Sequence, residues 1–67
     1  MELDLRNAII SNIKDKSKDQ LNDMLNDALS THDEKTLPGL GVIFEIIWEN
    51  SDSQIKENLI ETLSNNI

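Results

Sequence analysis

Between Leu37 and Trp48 the chain runs for twelve residues with one charged side chain, Glu45, although charged residues make up 28% of its 67 positions. Whatever the chain folds into must be built around that stretch. Leu40, Ile43, Phe44, Ile47 and Trp48 form one helical stripe. Val42 and Ile46 widen it until only Glu45, Glu49 and the glycines stay outside. The β-branched residues Val42, Ile43, Ile46 and Ile47 would also suit a strand, but strict alternation is missing and an isolated strand would have no partner. The spacing therefore predicts a helix over about 38–50, apolar nearly all round and central to the fold. Pro38, Gly39 and Gly41, which are the only proline and both glycines, mark its start as a structural turn. Proline suits a first helical turn, and the glycines permit close backbone approach or positive φ.

Three further short amphipathic segments accompany this one. Leu5, Ala8, Ile9, Asn12 and Ile13 fall at i, i+3, i+4, i+7 and i+8, with Leu3 and Ile10 on the flanks, predicting a helix over about 3–13. Leu21, Met24, Leu25, Ala28 and Leu29 repeat the pattern over about 18–30, introduced by Ser17 and Gln20 in capping-box spacing. Ser30 to Thr36 has no apolar member and reads as a surface loop. Ser51 and Gln54 give a second capping-box spacing, and Ile55, Leu59, Ile60 and Leu63 complete a fourth helix over about 52–64 that packs on the third through a tight turn. The expected architecture is a single all-α domain, residues 1–67, arranged as a small bundle or orthogonal array of four short helices.

Composition excludes several classes. Without cysteine there is no disulfide and no thiolate-held zinc, so the core must come from packing alone. Thirteen acidic residues against six basic ones give a net charge of -7, which repels a phosphate backbone on average. The acidic start Met1-Glu2-Leu3-Asp4 does not resemble a secretory signal, and the longest apolar run falls short of the ~20 residues that cross a bilayer. An intracellular, cytoplasmic protein with no membrane contact is expected.

Few side chains suggest chemistry. His32 lies beside Asp33 and Glu34, but catalysis also needs a nucleophile and an oxyanion donor in a pocket, so it reads as a solvated loop histidine. Asp19, Asp23 and Asp27 form an i, i+4, i+8 row that reads as a solvated acidic face, and no EF-hand loop or phosphate-loop pattern is present. No catalytic, cofactor or metal residue is assigned, and the chain is not expected to be an enzyme. Lys14, Lys16 and Lys18, with Arg6, are the only basic edge a DNA-binding reading could use. Asp15 and Asp19 cancel much of its field, and no aromatic lies nearby to stack on bases, so DNA is a disfavoured partner. The crowded third helix points elsewhere. Its short neighbours cannot readily enclose Val42, Phe44, Ile46, Ile47 and Trp48 from every side, so part of that surface is expected to meet a partner. A second copy across a two-fold axis would supply the shared core that so short a chain lacks.

The segments Leu5-Arg6-Asn7-Ala8-Ile9-Ile10 and Leu37-Pro38-Gly39-Leu40-Gly41-Val42-Ile43-Phe44-Glu45-Ile46-Ile47-Trp48, in a chain of this size, resemble the small acid-soluble spore protein I family of endospore-forming Firmicutes. The likeness runs from about Leu3 to Leu63. It departs from the family in a Lys/Asp-rich insert around Lys14 to Lys18 and a short C-terminus. It implies production in the forespore, residence in the spore core and no known enzymatic activity, which is a place and a time rather than a mechanism. The chain does not resemble the major DNA-coating spore proteins, since it lacks their Gly-rich basic pattern and their germination-protease cleavage motif. The expectations are a non-enzymatic homodimer, or a contact with another spore protein, with DNA association through the basic edge as the alternative.

Overall fold

A computed structural model describes residues 3–67, with side-chain placements from Leu5 onward. Met1, Glu2 and the flanking role of the Leu3 side chain lie outside the described residues. Helix α1 spans Leu3–Ile13, α2 Lys18–Thr31, α3 Leu37–Glu49 and α4 Ser53–Ser64, with one 3-10 turn, Glu34–Thr36, leading into α3. The all-α expectation holds, and every helix boundary falls within a residue of the periodicity reading.

Local chemistry explains most of these boundaries. The Ser17 hydroxyl accepts from the Gln20 amide at 3.2 Å while the Gln20 side chain accepts from the Ser17 amide at 2.9 Å, which satisfies two otherwise orphaned donors at the start of α2. Helix α2 ends at His32, held in the left-handed conformation at φ 53°. The loop between α2 and α3 is more ordered than its polar composition suggests. Asp33 accepts from the Lys35 amide at 3.0 Å, and the Thr36 hydroxyl donates to the Asp33 carbonyl at 2.7 Å.

Two expectations need correction. The segment Pro38 to Gly41 does not turn the chain: it lies within the first turns of α3, and neither glycine has positive φ. Proline loses nothing there because first-turn amides have no intrahelical partner. The reversal is made before it, by the 3-10 turn. Helix α4 is capped by Asp52 rather than Ser51. The Asp52 carboxylate accepts from the Ile55 amide at 2.9 Å, while the Ser51 hydroxyl donates back to the Ile47 carbonyl at 2.6 Å. A carboxylate gains from the positive end of the helix dipole, so it outcompetes the neighbouring hydroxyl for the cap.

Helix α3 is the hub. Its contact with α1 is fixed by Gly39, where an added Cβ would lie 3.3 Å from Ile9 Cδ1, and by a bidentate ion pair from Arg6 to Glu45 at 2.8 and 2.7 Å. The Lys56 ammonium lies 5.4 Å from the Trp48 ring centroid and ties α4 to the other end of α3. Among the described residues only Val42 is buried, at 7% exposure. The chain is correspondingly open: its radius of gyration is 13.1 Å, whereas a compact chain of this length has about 11 Å.

Candidate protein-contact face

The side of α3 turned away from α1 carries the candidate site. Leu37 is 60% exposed, Phe44 48% and Ile47 42%. All three are large apolar side chains, and the helix that holds them is anchored from behind, so they stand in a fixed row rather than on a loop. Phe44 and Trp48, one turn apart, meet with ring centroids 5.8 Å apart and a tilt of 33°.

Phe44 forms a ridge between two shallow apolar hollows. On the α4 side a hollow of about 360 Å³ is lined by Phe44, Glu45, Trp48, Glu49, Ile60 and Leu63. On the α2 side one of about 250 Å³ is lined by Leu25, Leu29, Leu40, Ile43, Phe44 and Ile47, with no ionisable side chain. Apolar surface thus continues from α2 across α3 to α4. Leu29, Ile60 and Leu63, which sequence periodicity assigns to inward stripes, are each more than half exposed at the edges of this surface. Periodicity shows which way a side chain points along its own helix; it carries no signal of whether a neighbour covers it.

Of the five residues expected at an interface, Phe44 and Ile47 lie on the open face and Trp48 is half-buried at its margin. Val42 and Ile46 do not belong there. Val42 is the buried core residue and Ile46 is half-buried. On a 3.6-residue helix these two positions lie across from Phe44 and Leu37, so the side held against α1 takes them.

The basic edge is also altered. Lys14, Lys16 and Lys18 are exposed around the α1–α2 connection, but Arg6 is engaged by Glu45. That hydrogen bond, reinforced by the attraction between the charges, raises the Arg6 pKa and lowers that of Glu45. Arg6 is therefore a clasp between α1 and α3, not a free phosphate contact. His32 is exposed and serves as the C-cap of α2. Among the described residues no three His, Asp or Glu side chains come together in a way that could hold a metal ion, and no helix is long and apolar enough to cross a membrane.

Comparison with known proteins agrees with the motif resemblance. A family model described as "Small, acid-soluble spore protein I" matches residues 3–67. Proteins of that name from Geobacillus sp. (strain WCH70) and Bacillus cereus (strain G9842) are 48% and 43% identical to the chain over 63 residues. The alignment covers 94% of the chain in both cases, with 89% and 91% of the respective relatives. The namesake from Bacillus anthracis (strain CDC 684 / NRRL 3495) is 42% identical over the same span. No solved structure matches. With a match over nearly its whole length, the chain belongs to the small acid-soluble spore protein I family.

Proposed function

We propose that this spore protein is a non-enzymatic component of the forespore and spore core that acts by helical self-association, as a homodimer built on the outward face of α3. The observation that carries the reading is the contrast between one buried side chain among the described residues and a continuous exposed apolar surface from Leu29 to Leu63. The chain exposes 5689 Å², whereas a compact monomer of 7.6 kDa exposes about 4,300 Å². The excess comfortably exceeds the ~800 Å² that each partner contributes to a standard interface. Covering the face with a second copy gives both chains the core that neither has alone.

Analytical ultracentrifugation at high micromolar concentration tests this. The expected species has twice the 7.6 kDa chain mass; a single monomeric species overturns the dimer. A contact with a different spore protein would then be the remaining occupant of the face. Association with DNA has less support, since the basic edge has lost Arg6 to Glu45. Titration with duplex DNA at about 10 mM salt, where phosphate attraction is screened least, is expected to show no binding.

A further inference from the structure

Helix α3 contains two glycines, two residues apart, and only one is explained by the chain itself. Glycine is the poorest helix former after proline. At Gly39 the reason for it is visible, because a Cβ would press on Ile9 Cδ1 at 3.3 Å. At Gly41 a Cβ would meet nothing within 4 Å, φ is not positive, and the position is exposed in the body of the helix. Nothing within one copy of the chain requires a missing side chain there.

Gly41 sits on a particular line. Leu37, Gly41, Phe44 and Trp48 follow the i, i+4, i+7, i+11 spacing of one helix face, with Leu37 and Phe44 among the most solvent-exposed apolar residues of α3. The line is a row of large apolar side chains with a notch in it. Gly41 itself lines a further hollow of about 320 Å³, on the flank where α1 approaches, together with Leu5, Arg6, Pro38, Val42 and Glu45.

Resting on the self-association proposed above, we infer that Gly41 is the crossing point at which α3 of a second copy packs against α3. Helices normally pack with axes 8–10 Å apart, the side chains at the contact setting the distance, and a glycine at the crossing lets them reach the near end of that range. A two-fold axis at Gly41 places Leu37 of one copy beside Phe44 of the other, twice, and brings both apolar surfaces together around them. The electrostatics agree. Two copies of charge -7 repel, so their contact must fall where carboxylates are few or neutralised. Between Leu37 and Trp48 the single carboxylate is Glu45, already held by Arg6.

The test separates association from folding because the two should move in opposite directions. Gly41→Ala and Gly41→Gln both introduce better helix formers into open space, so the helicity of the monomer, measured by circular dichroism at high dilution, is expected to stay level or rise. Sedimentation equilibrium is expected to show dimerisation at least about tenfold weaker for Gly41→Ala and weaker still for Gly41→Gln. If both variants dimerise as tightly as the wild type, the crossing at Gly41 is overturned while self-association stands. A wild-type chain that remains monomeric overturns both.

Discussion

The two sides of α3 are written in the same alphabet and meet opposite fates. Toward α1 lie Gly39, which Ile9 approaches, the buried Val42 and the half-buried Ile46, with the Arg6–Glu45 pair clasping the two helices. Away from it lie Leu37, Phe44 and Ile47, equally apolar and open to solvent, with Gly41 at the boundary between the two sides. The difference is one of supply. A chain of this length has enough neighbouring helix to seal one side of an all-round apolar helix, and the second side needs surface from elsewhere.

That contrast can be broken by paired substitutions. The largest effect is expected from Val42→Asp, which puts an unpaired carboxylate into the only buried position among the described residues and should cost more than ~3 kcal/mol, enough to abolish the cooperative thermal transition. Phe44→Asp should instead leave a helical monomer while weakening self-association by about 2 kcal/mol, near thirtyfold, read by sedimentation equilibrium. If Phe44→Asp unfolds the chain and Val42→Asp is tolerated, the assignment of the two sides is reversed. Ser17→Ala removes one half of the reciprocal cap on α2 and is expected to cost about 1 kcal/mol in thermal denaturation, with no change in association.

The smallest effect concerns the clasp between the sides. Glu45 has its pKa lowered in the folded chain, so its contribution to stability is present at neutral pH and fades as pH falls from the ordinary carboxylate range through the depressed value. Acid titration of wild type and Glu45→Gln by circular dichroism should show the variant with the shallower loss of stability in that window; identical curves would mean the pair does not hold α1.

What could be read from the sequence was local. The Ser17 and Gln20 spacing located the start of α2, because both halves of that cap lie within four residues. Near Ser51 the same rule was off by one, since Asp52 offers a charged competitor for the same amides. The Arg6–Glu45 pair, 39 positions apart, leaves no trace in either local pattern. The glycines show the limit most clearly. Gly39 and Gly41 look alike in sequence, and only the position of Ile9 separates one already filled approach from one still open.

Trp48, the only tryptophan, stands at the margin of the open face and reports on it without any label. Its emission should be measured across a dilution series from high to low micromolar, in parallel with sedimentation. Covering of the outward face by a second copy predicts a red shift on dilution whose midpoint coincides with dimer dissociation. An emission maximum that stays constant while the sedimenting mass remains that of one chain would contradict it.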